Sequence, residues 1–202
     1  MAAAEWHGSP ALTTSRVWAN VIHRNRGLSS CESAISMRFR ESSFPFLGAT
    51  LGGTAYFESG GRFVVRFSRV PRILQKFPAA YDYMMNIGKW PQRFVITSGP
   101  PRAAGGHTDL ALHLASRDPD SSLQYGQVYV NPATWTIEEM DWRLKGMEFD
   151  VTQTFRPLGA WRVLAGQQIT IHVPIARAGA TAEFANYRTD VSMGQAVPAL
   201  RR

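Results

Sequence analysis

Ile137-Glu138-Glu139-Met140-Asp141-Trp142-Arg143-Leu144-Lys145-Gly146-Met147-Glu148-Phe149-Asp150-Val151-Thr152-Gln153-Thr154 is the stretch whose reading decides the fold. Folded back around Lys145-Gly146, it sets Leu144 opposite Met147, Trp142 opposite Phe149 and Met140 opposite Val151. Those side chains make one apolar face. The same register puts Arg143 opposite Glu148 and Asp141 opposite Asp150 on the other face. A slip of one residue would exchange the two faces, so the register is well specified. Cross-strand aromatic and aliphatic pairs are the stabilising unit of such a hairpin. Lys-Gly is a weaker two-residue turn than Asn-Gly and leaves the turn type open.

The neighbouring segments extend the pattern. Gln124–Val130 leads into an Asn131-Pro132-Ala133-Thr134 turn, and Trp135–Ile137 begins the return. Alternation loses phase near Glu138-Glu139, which predicts a bulge. Ile169, Ile171, Val173 and Ile175 alternate, with Pro174 predicting an edge or bulged position. Ala182–Arg188 closes the series. Upstream, Cys31–Arg40 alternates, Thr50–Glu58 and Arg62–Arg69 form a hairpin around Ser59-Gly60-Gly61, and Phe94–Thr97 and Leu110, Leu112 and Leu114 mark two more strands. Ser98–His107 between them reads as a loop.

Helical periodicity appears twice. Pro10 can open a helix whose stripe is Leu12, Val17, Trp18, Val21 and Ile22, with Gly27 as its stop. In Val70–Ile87, Pro71 opens a short helix through Ile73, Leu74 and Phe77, Pro78 ends it, and Ala79–Ile87 gives a second with Tyr81, Met84 and Met85. Trp90-Pro91 then returns the chain to extended structure. Phe44, Phe46 and Leu47 sit in a Pro/Gly-bounded connection, where large apolar side chains must be covered or form a lip. The expected fold is mainly β (α+β), with one N-terminal helix, nine or ten antiparallel strands and a helical insertion. Residues 1–9 read as a disordered tail, 10–190 as one domain and 191–202 as a C-terminal tail.

Composition narrows the class. A chain of 202 residues, 45% hydrophobic and 18% charged, is ordinary for a globular domain. No apolar run approaches the roughly 18 residues of a membrane span. Met1–Ser15 lacks the basic and apolar regions of a signal peptide. The expectation is either a cytoplasmic protein or a numbering that begins after or beside the export signal. The net charge of +7 is uneven: residues 1–102 hold 13 Lys/Arg against 5 Asp/Glu, and 103–202 hold 9 against 10. That asymmetry suits an anionic partner. The basic residues are scattered without interleaved aromatics, so nucleic acid is not expected. Cys31, the only cysteine, excludes an internal disulfide and reads as a small strand residue.

The order of parts resembles the periplasmic outer-membrane lipoprotein carriers and their relatives, the LolA/LolB-like fold. The residues that carry the resemblance run in order from Phe44-Pro45-Phe46-Leu47 and Thr54-Ala55-Tyr56-Phe57 to the insertion Val70–Ile87. They continue with Val128-Tyr129-Val130-Asn131-Pro132-Ala133-Thr134, Trp142, Gln153-Thr154-Phe155 and Phe184-Ala185-Asn186-Tyr187. The resemblance covers roughly 12–190 and is closer to uncharacterised secreted relatives than to the carriers themselves. It implies an incomplete, strongly curved antiparallel barrel with helices over its mouth and an apolar cavity that shelters acyl chains. Relatives with this fold also act as envelope-stress sensors. No cargo-contacting residue is carried over.

Candidate chemistry is sparse. Asp141 and Asp150, with Glu139 near, could share a proton or a metal, but they fall on the solvated face, where water and salt screen like charges. Histidines 7, 23, 107, 113 and 172 show no metal-ligand spacing. Asp109 and His113 could join a serine, yet no Gly-x-Ser-x-Gly elbow anchors such a set, and Gly105-Gly106 lacks the Lys-Ser/Thr of a phosphate loop. No catalytic residue, metal ligand or cofactor is assigned. The expected ligand-binding residues of the cavity and its lid are Phe44, Phe46, Leu47, Leu74, Phe77, Met84, Met85, Trp90, Trp142 and Phe149. For each alone, ordinary core packing is the commoner role; the group as a whole suits an adaptable apolar site. The expected function is a non-enzymatic, periplasmic or otherwise secreted binding or carrier protein for a lipid or other amphiphile. A regulatory sensor is the alternative and an enzyme the third reading. An anionic membrane surface and a protein partner are further candidate partners.

Overall fold

The computed structural model describes residues 13–41, 48–70, 77–121, 123–144, 147–173 and 176–191. Among them the chain runs α1 (Thr14–Ile22), β1 (Ser30–Glu41), β2 (Thr50–Glu58), β3 (Arg62–Phe67), α2 (Phe77–Met85), a 3-10 turn (Ile87–Lys89), α3 (Trp90–Arg93) and β4 (Phe94–Ser98). It continues with β5 (Arg102–Ala104), β6 (His107–Ser116), β7 (Leu123–Asn131), β8 (Thr136–Leu144), β9 (Met147–Leu158), β10 (Trp161–Val173) and β11 (Ala176–Thr189). These strands form one antiparallel sheet in the order β3-β2-β1-β11-β10-β9-β8-β7-β6-β4, with β5 beside β6. The sheet is an incomplete barrel: it curls around its core without closing.

The register expected for the central hairpin is the one observed. Trp142 pairs with Phe149, Met140 with Val151, Asp141 with Asp150 and Arg143 with Glu148. The bulge falls where alternation loses phase: Tyr129 pairs with Glu139 and Val130 with Ile137, leaving Glu138 unpaired. Five local readings need correction. β10 is interior, between β9 and β11, and not an edge; it stops at Val173, and Pro174 lies outside the described residues. Pro78 does not end a helix. It is the second residue of α2, where a missing N–H removes no helical hydrogen bond. Trp90-Pro91 opens α3 in place of extended chain, again with proline in the first turn, and the chain extends only from Phe94. The loop after β4 holds the short strand β5. Gly27, at φ +84°, turns the chain after α1 has already been capped at His23. Phe44, Phe46, Leu47 and Leu74, the helix expected from Pro71, the Lys145-Gly146 turn and both expected tails up to 9 and from 192 lie outside the described residues.

One topological fact places the helices. β3 and β4 are consecutive along the chain yet lie at opposite ends of the strand order. The link between them carries α2, the 3-10 turn and α3 over the concave face. It is held there by aromatics. Trp18 of α1 stacks on Trp90 of α3 with centroids 5.5 Å apart, and Trp90 meets Trp142 of β8 edge-on at 5.2 Å. Phe94 lies 5.8 Å from Trp142. The Trp90 indole Nε1 donates to the Met84 carbonyl at 3.1 Å, tying α3 to α2. The Trp142 ring needs a gap in the next strand, and Gly126, its register partner, supplies it: a Cβ there would lie 2.3 Å from the ring.

Trp142→Ala should cost about 3–5 kcal/mol, as for other fully buried aromatics. Gly126→Ala should cost about 1–3 kcal/mol by overpacking. In the double variant most of the Gly126→Ala cost should vanish, because the ring it strikes is gone. Equilibrium urea unfolding of the four proteins measures this, and additive costs would show that Gly126 serves the backbone and not the ring.

Candidate functional site

The segment after α1 sets the geometry of the site. α1 is capped by Thr13 and buries Val17, Trp18 and Val21. Beyond it the Asn25 side chain makes two hydrogen bonds to the Arg162 backbone, 2.8 Å to its carbonyl and 3.1 Å from its N–H. The Trp161 indole donates to the Arg26 carbonyl at 3.1 Å. Residues 23–28 are thereby pinned to the start of β10. On the other side the β2–β3 hairpin meets the 3-10 turn so closely that a Cβ on Gly61 would sit 2.5 Å from Ile87, and one on Gly88 2.3 Å from the Gly60 carbonyl. The Gly88 N–H donates to the Gly61 carbonyl at 2.9 Å.

Between these two fixtures lies a cavity of about 290 Å³. Its apolar walls come from Ile22, Phe57, Phe63, Ile87, Phe155 and Leu164, with Met85 of α2 on the same lining. A small polar cluster borders the Met85 wall: the Tyr81 hydroxyl donates to Gln167, and the Gln167 and Gln153 amides reach the Met85 sulfur at 3.1 and 3.6 Å. The Tyr187 hydroxyl donates to the Leu164 carbonyl, and burial raises its pKa well above the ordinary tyrosine value.

The charge around the cavity is one-sided. Arg24, Arg26, Arg62 and Arg162 line it against one carboxylate, Glu58, which Arg62 holds at 3.1 Å. Burial lowers Arg24 to about 10, leaving it a cation at neutral pH. Burial pushes the Cys31 thiol up to about 11, so it stays protonated, as a structural cysteine should.

Of the ligand-binding residues expected from sequence, Met85 lines this cavity. Met84, Trp90, Trp142 and Phe149 are buried in the main core. Phe77 begins α2. Sequence reading missed Arg24, Phe155 and Tyr187. The signal available was His23-Arg24-Asn25-Arg26, a polar and basic run directly after an amphipathic stripe.

A second cluster forms on β6 and the β8 bulge. His107 Nε2 lies 2.9 Å from Asp109 Oδ1 and 3.5 Å from Glu138 Oε2, so three groups without ligand spacing in sequence converge within 4.8 Å. Arg102 pairs with Glu139 at 2.7 Å, approaches Asp109 at 3.6 Å and lies over the Tyr129 ring at 3.4 Å. The imidazole and the guanidinium thus meet the carboxylates in one polar network. His113 bonds the Tyr125 hydroxyl at 2.6 Å and His172 bonds Asp150 at 2.6 Å.

No family model matches the sequence, and no curated protein matches it. Solved structures match by fold. A LolA superfamily protein from Nitrosomonas europaea aligns with a TM-score of 0.67 at 8% identity, over 91% of this chain and 97% of that one. An outer membrane lipoprotein-sorting protein domain from Vibrio parahaemolyticus gives 0.63 at 10% identity, over 87% and 91%. A DUF1329 family protein from Desulfovibrio piger gives 0.62 at 9% identity, over 89% and 94%. At these identities the shared property is the fold.

Asp141 provides a test of the carboxylate pair. Burial, then Glu139 and Asp150, raise it from 3.8 to about 6. The folded chain therefore holds this proton more tightly than the unfolded chain. The site lowers stability as pH rises through that interval, and its penalty is complete above about 6. Asp141→Asn should stabilise the protein at pH 8 by about 1 kcal/mol or less, since water screens the partly exposed group. The difference from wild type should close near pH ~4, where the carboxyl is largely protonated. Urea midpoints at both pH values decide it; an equal gain at both would assign the effect to something other than charge.

Proposed function

We propose that this chain, which shares the LolA-like fold, is an extracytoplasmic, non-enzymatic carrier that shelters the hydrocarbon part of a lipid or other amphiphile. The observation that carries the reading is the cavity of about 290 Å³ between residues 23–28, the β2–β3 hairpin and the sheet. Its volume lies at the lower end of small-molecule sites, which are mostly apolar and preformed. It suits part of one alkyl chain. Each methylene buried contributes about 0.8 kcal/mol, so eight give roughly 6 kcal/mol before the cost of association. The fold neighbours support the same reading, since one is described as an outer membrane lipoprotein-sorting domain. A periplasmic location and a role in transport within the cell envelope go with it.

The described part of the helical link is the movable wall. α2 is nine residues long, too short to be stable alone, and is held by Tyr81, Met84 and Met85 against the sheet. Such elements open before the sheet does. An alkyl amphiphile should therefore slow amide hydrogen exchange across 77–90 more than across 123–131, a strand outside the lining. Phe155→Asp should weaken binding of a fluorescent alkyl probe by about tenfold or more, because it puts a charge on the apolar wall. Val95→Asp, on an exposed position outside the lining, should leave probe binding unchanged. Uniform slowing of exchange together with full binding by Phe155→Asp would place any lipid site outside this cavity.

A further inference from the structure

The cavity wall holds a cation, Arg24, with no carboxylate partner among the described residues. Arg24 sits one residue beyond the cap of α1. One Nη1–H donates to the Val21 carbonyl at 3.2 Å, and the guanidinium carbon lies 5.5 Å from the Phe155 ring centroid. Its Nε is fully buried and meets no acceptor among the described residues. A guanidinium carries five N–H donors in a planar fork, suited to two oxygens of one acid group. Here a single hydrogen bond uses that capacity. No described carboxylate pairs with Arg24. Glu58, the acid on the same lining, is held by Arg62, and the neighbouring Cys31 is a protonated thiol at neutral pH. The backbone that carries Arg24 is fixed, because Asn25 and the Arg26 carbonyl are bonded to Arg162 and Trp161. A partly buried cation with no counter-ion among the described residues is unfavourable, and an entering anion offsets part of that penalty.

We infer that the cavity takes an amphiphile with an acidic head, its alkyl chain against Phe155 and Met85 and its carboxylate or phosphate oxygens accepting hydrogen bonds from Arg24. This rests on the amphiphile-binding reading above and adds the class of head group. Arg26 and Arg162 line the same cavity, and their field draws anions toward it. Arg24 also serves as a helix-end cation, which suits the partial negative charge of the last carbonyls. That role accounts for the bond to Val21 and leaves Nε unused.

The test is a calorimetric series with four twelve-carbon probes below their micellar concentrations: dodecanoate, dodecyl phosphate, dodecyl maltoside and dodecyltrimethylammonium. Wild type should bind at least one acid about tenfold or more tightly than the maltoside, and the cationic probe least well. Which acid binds better identifies the head as carboxylate or phosphate. Arg24→Gln should bring the acid-to-maltoside ratio to within about twofold, whereas Arg38→Gln, an exposed position on β1, should preserve the ratio and so exclude a net-charge effect. Equal wild-type affinity for all heads would overturn the acidic-head inference and leave the amphiphile reading standing. Binding of none of the four would overturn both. If circular dichroism shows Arg24→Gln to be unfolded, the wild-type series alone decides.

Discussion

The structure depends on how the concave face of an open sheet is covered. Because β3 and β4 end the strand order at opposite sides and yet follow one another in the chain, their link has to cross that face. The described part of the link, from Phe77 to Arg93, is short helices that would not persist alone. Trp90 fixes them. It is fully buried, stacks on Trp18, meets Trp142 edge-on and holds the Met84 carbonyl. One indole therefore joins the N-terminal helix, the crossing link and the central hairpin. Gly126 belongs to the same constraint, since the Trp142 ring occupies the space a side chain there would need.

The cavity lies away from that aromatic stack. The main core draws on every strand from β1 to β4 and from β6 to β11, and on all three helices. Near the end of α1 the cover thins: residues 23–28 and the β2–β3 hairpin tip are tethered by Asn25, Trp161 and the Gly61–Gly88 contact. Those contacts fix the two segments on either side of the cavity. The apolar space behind them is the physical basis of the carrier reading. Arg24, which has no carboxylate partner among the described residues, is the observation from which the acidic-head inference starts.

The central hairpin was legible because a strand has period two and its pairing is local, so one register satisfied both faces from Met140 to Val151. The bulge at Glu138 was legible for the same reason, as a break in that period. Pro78 and Pro91 were misread because proline marks a helix start as readily as a helix end, and only the backbone on either side decides. The interior place of β10 depends on β11 returning beside β1, a pairing between distant parts of the chain that no local pattern encodes. Of the two methionines read as a lid, Met85 lines the cavity and Met84 fills the core. The position of the cavity was not legible. Trp142 and Phe149 have the composition of a ligand wall but fill the core, while Arg24 and Phe155 reach the cavity through long-range contacts of the α1–β1 turn.

The most direct test of the central claim is native mass spectrometry of the protein purified without detergent, followed by release and mass analysis of whatever is bound. The expected result is a population carrying one alkyl-chain compound per chain, displaced stoichiometrically by an added amphiphile. A bare protein that also fails to take up added amphiphile, while remaining folded, would contradict the claim that this cavity is a lipid-binding site.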